Sequence, residues 1–204
     1  FNVVREREGV LDFRRPNVEV SFNEKTGKLI GLKYNGQNMI QHREGWTLNW
    51  YRSINNDPRS WQQSETQLCT FDWKWAEDRQ SIIVTVGKIK VPYSIIYHIY
   101  GDGKIQVNAS FKTGQDFNLP RLALQGFFNP ALENIEWYGR GPIENYQDRK
   151  NAAFIGRYKT TVTEMAEHYL RAQTMGGRCD TNWMTLSDIH GKGIKITSID
   201  KTFD

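Results

Sequence analysis

Residues 93–111 read YSIIYHIYGDGKIQVNASF. The first eight residues are almost all aromatic or β-branched, a composition that favours a strand covered on both faces. The Gly-Asp-Gly sequence at 101–103 is typical of a turn, and residues 104–111 alternate polar and apolar side chains. The stretch therefore predicts a β-hairpin.

The same kind of pattern recurs on both sides of this hairpin. Residues 17–22 alternate, residues 23–27 are typical of a turn, and residues 28–34 return as a second strand. Asn35-Gly36 is a second turn signal, since both residue types tolerate positive φ. Further strands are predicted at 71–75, 81–91, 121–128, 133–138 and 193–199, with short helical turns at 60–67 and 163–168. Strands at this spacing, without long helices between them, predict an all-β antiparallel sandwich forming a single domain over 1–204.

Composition excludes several classes of protein. Aromatic residues make up 13% of the 204 residues, which argues against a disordered chain. The formal net charge of +4 is scattered, and residues 5–8 alternate in sign, so no nucleic-acid partner is expected. No apolar run is long enough for a membrane-spanning helix, so no membrane partner is expected either. Cys69 and Cys179 have no metal-ligand spacing; a disulfide stays open, although buried free thiols are favoured.

Residues 46–61, WTLNWYRSINNDPRSW, place three tryptophans around an Asn-Asn-Asp-Pro turn. Tryptophan rings beside amides and carboxylates are what a sugar site uses, because the ring packs on C–H groups and the polar groups bind hydroxyls. The alternative is an ordered loop whose Asn and Asp residues cap the turn and whose tryptophans pack in the core. Composition favours the ordered loop.

Residues 137–149, WYGRGPIENYQDR, form a second unusual segment. Gly139 and Gly141 allow backbone conformations that other residues avoid, and Pro142 stiffens the exit. The segment also carries two arginines and two acidic residues. It predicts a tight turn braced by Arg–carboxylate pairs; its Gly-x-Gly pair is weak evidence for a dinucleotide site because no third glycine follows.

Together the two segments resemble the C-terminal, small-chain domain of lac-type β-galactosidases of glycoside hydrolase family two. The most specific block comprises Trp137, Gly139, Arg140, Gly141, Pro142, Glu144, Asn145, Tyr146, Asp148 and Arg149, and it continues with Gly156, Tyr158, Tyr169 and Gly177-Arg178. Arg52 with Asn55-Asn56-Asp57 is similar to a second family loop, although Ile54 stands where the family usually has Pro and Asn55 where it usually has Asp. Residues 172–174, Ala-Gln-Thr, replace a Pro-Gln-Glu-like stretch.

The resemblance implies a fold and a role. The fold is a large antiparallel β-supersandwich like that of galactose mutarotase, and the family's domain continues past Asp204, so the chain is expected to be truncated at its C-terminal end. The two catalytic glutamates of the family are expected in an absent (β/α)-barrel, which leaves no catalytic residue in this chain. The expected role is to complete the substrate pocket and to support assembly. The pocket candidates are Arg52, Asn55, Asn56, Asp57 and Trp61, while the 137–149 block is expected to be mainly structural.

The resemblance also sets expectations for ligands and partners. No cofactor or metal is expected in this chain, and any Mg²⁺ or Na⁺ of the parent enzyme is assigned to domains absent here. The expected partners are a galactoside substrate, bound through the parent enzyme, the barrel domain, the remaining strands and other copies of the parent. The protein is expected to be soluble, in the cytoplasm or periplasm of a bacterium.

Two other functions stay open. A stand-alone carbohydrate-binding module would use Trp50, Trp61, Asn56 and Asp57 as its platform. A mutarotase-type aldose epimerase would need a histidine acid and a glutamate base, but none of the four histidines (His42, His98, His168 and His190) lies in a segment like that family's motif. His98 is expected to be a hydrogen-bonded core residue. The pairs Glu133/Glu136 and Glu164/Glu167 are expected to diverge or to face solvent, and so not to form a local glycosidase pair.

Overall fold

The computed structural model describes residues 1–41, 45–50, 69–88, 93–112, 121–171 and 173–204. These residues fall into two compact units, Phe1–Phe128 and Asn129–Asp204. The single domain over 1–204 stays a prediction. Within these ranges the regular structure is almost entirely antiparallel β-sheet, which confirms the all-β class.

The first unit contains three antiparallel sheets. The first sheet joins five strands in chain order, the second joins four in the order β10-β9-β8-β7, and the third is the pair β11-β6. The strands are β1 (Asn2–Arg7), β2 (Val10–Arg15), β3 (Val18–Asn23), β4 (Leu29–Tyr34), β5 (Gln37–Asn38), β6 (Thr47–Asn49), β7 (Cys69–Trp75), β8 (Ile82–Lys88), β9 (Tyr93–Ile99), β10 (Ile105–Phe111) and β11 (Ala123–Gln125).

Aromatic side chains join the five-stranded and four-stranded sheets face to face. Phe13 meets Trp73 with a ring-centroid distance of 5.5 Å. Phe22 lies 5.8 Å from Phe71 and 5.1 Å from Tyr97. Because Phe13, Phe22 and Tyr97 are all 0% exposed, these contacts form the centre of a β-sandwich core.

The predicted hairpins are confirmed, with one correction. β9 and β10 pair in register from Tyr93↔Phe111 to Ile99↔Ile105, and β3 pairs antiparallel with β4. Asn35 and Gly36 both have positive φ, 48° and 80°, as the turn between β4 and β5 requires. The expectation that residues 93–100 are covered on both faces is wrong: burial alternates along β9, and Ile96 is 39% exposed.

The second unit is built on one four-stranded antiparallel sheet in the order β13-β12-β14-β15. Its strands are β12 (Asn134–Gly141), β13 (Phe154–Thr161), β14 (Trp183–Ser187) and β15 (Gly193–Thr197), and a 3-10 turn spans Thr163–Met165 within the predicted helical turn at 163–168. Ile135, Trp137 and Leu186 are buried on one face of the sheet. The helical turn predicted at 60–67 lies outside the described residues.

The structure shows the burial of both cysteines and the contacts of His98. Cys69 and Cys179 are not joined by a disulfide. Cys179 is buried, as favoured from the sequence, whereas Cys69 is only half-buried. His98 Nε2 lies 2.7 Å from the Ser81 hydroxyl and its ring stacks on Tyr100 at 4.1 Å, so the predicted hydrogen bond is confirmed. His98 is half-buried, however, and is not a core residue. Within the described ranges no helix is both long and apolar enough to cross a membrane.

Candidate functional site

The predicted pocket residues Arg52, Asn55, Asn56, Asp57 and Trp61 lie outside the described residues, and their role stays a prediction. Trp50, which the binding-module alternative would use as a platform, is described. It is 2% exposed and packs edge-on against Tyr93 at 5.8 Å. Trp50 is therefore a core residue with no ring face open to a sugar.

The 137–149 block begins on the buried side of β12. Trp137 is 3% exposed, and its indole Nε1 donates a hydrogen bond to the carbonyl of Arg140 at 3.0 Å. The ring of Tyr158 lies 5.4 Å from it, and the Arg178 guanidinium lies 5.1 Å from the indole centroid. Trp137 thus anchors the end of β12 to its neighbours.

Gly139 and Gly141 serve close packing and not a turn. Both lie inside β12, and neither has a positive φ. A Cβ atom on Gly139 would lie 2.7 Å from Thr181 Oγ1, and one on Gly141 would lie 2.7 Å from the Tyr158 ring. The prediction that these glycines provide turn conformations is therefore wrong, because the strand continues through them and the chain bends only after Gly141, at residues 142–143.

Arg140 braces the block, but not with a carboxylate of the block. Its Nε donates to Asp180 at 2.5 Å, and its Nη1 donates to the carbonyl of Ala153 at 2.8 Å. Lys150 Nζ also lies 3.4 Å from the Asp180 carboxylate. The Arg140 hydrogen bond holds the pKa of Asp180 below its usual value. Arg–carboxylate bracing is confirmed, while the partner Asp180 was not predicted.

Glu144 is the most heavily bonded carboxylate of the block. Its side chain is 6% exposed and accepts hydrogen bonds from Arg149 at 2.5 Å, from the Gly176 N–H at 2.5 Å and from the Tyr169 hydroxyl. Burial raises the pKa of Glu144, but the Tyr169 and Gly176 hydrogen bonds and the Arg149 charge outweigh it and hold the pKa below its ordinary value. The carboxylate therefore fixes three separate segments while ionised.

Asn145 and Tyr146 fasten the segment around residue 177 to the block. Asn145 is 0% exposed; its amide donates to the Ile143 carbonyl at 2.9 Å and accepts from the Cys179 N–H at 2.8 Å. The Asn145 N–H donates to the Gly177 carbonyl at 3.0 Å. The Gly177 N–H reaches the Tyr146 hydroxyl at 3.4 Å. These bonds make the block a fixed corner between β12 and β14.

The remaining candidates are not brought into this corner. Pro142 and Asp148 are exposed. Three of the four carboxylates considered for a glycosidase pair have hydrogen-bond or ion-pair partners: Glu133 accepts from the Thr163 N–H at 2.9 Å, Glu136 pairs with Arg157, and Glu164 accepts from the Thr160 hydroxyl at 2.6 Å. No group of three His, Cys, Asp or Glu side chains able to hold a metal occurs within the described ranges.

Sequence reasoning did not find Asp180 or the Cys179 N–H, which complete the corner from 40 and 34 residues away. No local pattern marks either group. Tyr169 and Gly177-Arg178, which the resemblance carried as downstream matches, do lie at the block and contact Glu144, Tyr146 and Trp137. The resemblance therefore supplied long-range information that spacing did not.

A Glu144→Gln variant is expected to be less stable at pH 7 by about 1–3 kcal/mol, because hydrogen bonds to a charged acceptor are lost. Since the folded state lowers the pKa of Glu144, its stabilisation is complete above the unfolded carboxyl pKa of about 4.3 and is lost as the pH falls through the folded pKa. Urea unfolding between neutral and acid pH measures the difference between the two proteins, which should shrink in acid. The control is Glu77→Gln at an exposed turn position; a Glu144→Gln deficit that stays constant down to strong acid contradicts the assignment.

The chain is similar to known proteins over most of its length. The family model described as "Beta galactosidase small chain" matches residues 14–202. A β-galactosidase of Priestia megaterium is 26% identical over 96% of this chain, and one of Vibrio cholerae is 27% identical over 87% of it. A β-galactosidase of Streptococcus thermophilus is 26% identical over 92% of the chain. In each case the match covers 20% of the relative, so the chain spans about a fifth of the length of these proteins.

Proposed function

Because the chain belongs to the β-galactosidase small-chain family, we propose that it is a non-catalytic C-terminal part of a β-galactosidase that hydrolyses terminal β-D-galactosides with retention. The role proposed for the chain is to complete the substrate pocket and to support assembly of the parent enzyme.

The bonding of Glu144 is the observation that carries this proposal. A retaining glycosidase needs two carboxyl groups about 5–5.5 Å apart, one of them a proton donor with a raised pKa. Glu144 has the opposite character: its pKa is lowered, and its oxygens are occupied by Arg149, Tyr169 and the Gly176 N–H. A carboxylate used in this way stabilises a corner and is not available for acid–base chemistry at neutral pH.

The pocket contribution is assigned to Arg52, Asn55, Asn56, Asp57 and Trp61. This assignment rests on the family resemblance. Their amide, carboxylate and guanidinium groups are suited to sugar hydroxyls, and Trp61 to the apolar face of the ring. The catalytic glutamates, and any Mg²⁺ or Na⁺, are proposed to belong to the remainder of the parent enzyme, and other copies of the parent to be partners in assembly.

Hydrolysis of a nitrophenyl β-galactoside tests the proposal. The 204-residue chain, purified from a host without β-galactosidase, is expected to give no turnover above buffer. The full reading frame, including a barrel domain, is expected to be active and to lose activity when residues 1–204 are deleted. Turnover by the purified chain that co-elutes with it through successive columns would overturn the non-catalytic role.

A further inference from the structure

The solvent-facing side of the second unit's sheet carries an ordered array of aromatic and cationic side chains. Neighbouring residues of a strand point to opposite faces, so residues flanking the buried Trp137 project away from the core. Tyr138 pairs across the sheet with Arg157 on one side and with Trp183 on the other. The adjacent row runs from Lys159 through Glu136 and Thr185 to Lys195. We call these two rows, with Ile155 beside Arg157, the aromatic-cationic face.

Large parts of this face are open to solvent. Tyr138 is 43% exposed and Ile155 is 49% exposed. The Arg157 side chain is 72% exposed, and Lys159 and Lys195 are exposed as well. Exposed aromatic and aliphatic side chains grouped on one flat surface mark an interaction site more often than isolated ones do.

The charge on the face is predominantly positive. Arg157, Lys159 and Lys195 are its cations, and the Glu136 carboxylate is already paired with Arg157. Neither lysine makes an ion pair within the described part of the chain. The face therefore has cationic groups on β13 and β15 at its two sides, with Tyr138 and Trp183 between them.

The arrangement of Trp183 favours a polypeptide over a sugar. A sugar stacks on an open aromatic face, whereas cations already lie over the Trp183 ring. The Arg157 guanidinium carbon is 6.0 Å from the ring centroid, and Lys195 Nζ is 4.9 Å from it. Trp, Tyr and Arg are also the residue types enriched at protein–protein hot spots. Two copies of this face would repel each other, because both are positive.

We propose that the aromatic-cationic face docks an acidic polypeptide surface, whose carboxylates meet Lys159, Lys195 and Arg157 and whose apolar side chains cover Tyr138 and Ile155. This inference does not depend on the proposed function. The face is about four strands wide and five residues long, so the contact is smaller than a standard interface and affinity in the micromolar range is expected.

Fluorescence polarisation with two labelled peptides tests the proposal. One probe is a peptide of glutamates interrupted by leucines, and the other has serine in place of each leucine. The 204-residue chain is expected to bind both, the leucine peptide more tightly, with binding that weakens steeply as salt rises. A Lys159→Glu/Lys195→Glu double variant is expected to bind about tenfold or more weakly.

Two further variants separate the face from general charge effects. A Lys192→Glu/Lys201→Glu double variant makes the same change in net charge at two other exposed positions. It is expected to alter binding less than about twofold. Tyr138→Ser is expected to remove the preference for the leucine peptide and tests the proposal even where the double variant does not fold. Equal weakening by both charge pairs, tighter binding of an oligogalacturonate than of either peptide, or self-association through this face would overturn it.

Discussion

A Phe22→Ala variant is expected to lose about 3–5 kcal/mol of unfolding free energy, the cost typical of deleting a buried phenylalanine ring. Phe22 is 0% exposed and contacts rings of both sheets of the first unit: Phe13 in its own sheet, and Phe71 and Tyr97 in the facing one. Removing the ring leaves a cavity at the point where three aromatic side chains converge. Close-packed interiors relax only partly around such a cavity, so transfer and cavity costs add.

Urea unfolding followed by circular dichroism measures this loss, with an unchanged denaturant slope showing that the denatured state is the same. Phe154→Ala is the matched control, because it deletes the same ring at a position that is 71% exposed, and it is expected to change stability by less than about 0.5 kcal/mol. Phe22→Leu retains much of the buried volume and should fall between them. A Phe22→Ala loss no larger than that of Phe154→Ala contradicts a sandwich core centred on Phe22.

Period-two alternation of polar and apolar residues predicted two of the strands. β3 and β10 were identified in this way, because the backbone places successive side chains on opposite faces whatever the rest of the chain does. β4 was predicted as the strand that returns from β3 after a turn. Six of the described strands were not predicted: β1, β2, β5, β6, β13 and β14. β1 is rich in alternating charges, and β13 has exposed or half-buried residues throughout, so hydrophobicity does not alternate along either strand.

Tertiary pairing accounts for the other differences. β12 extends to Gly141 because Gly139 and Gly141 pair with Gly156 and Phe154, although glycine is unfavourable in strands. The 137–149 block was recognised from its residues, but its bonding partners were not. Asp180 and the Cys179 N–H reach the block only because β14 pairs with β12, and a pairing between distant strands leaves no signal at the two positions themselves.

Replacing Asn145 with alanine is expected to cost about 2–4 kcal/mol of stability, because the substitution leaves the buried Cys179 N–H and the part-buried Ile143 carbonyl without the partner that Asn145 supplies. The Asn145 amide is the acceptor for the Cys179 N–H and the donor to the Ile143 carbonyl, and the residue is 0% exposed. Alanine supplies neither group, and the space vacated is enclosed. The loss should appear in urea unfolding and as faster hydrogen exchange of the Cys179 amide.

The exchange measurement separates a lost hydrogen bond from a general loss of packing. In the unsubstituted chain the backbone N–H of Cys179 is protected by its hydrogen bond to the side-chain Oδ1 of Asn145. The backbone N–H of Asn145 is instead protected by its hydrogen bond to the Gly177 carbonyl, which an alanine at position 145 can still make. Asn145→Asp keeps the acceptor but not the donor, so it should protect the Cys179 amide better than alanine does while still destabilising the chain. Asn151→Ala, at an exposed position ten residues beyond Gly141, is the control and should leave both amides unchanged. Equal acceleration at both amides in Asn145→Ala would mean that the corner is held by packing and not by this side chain.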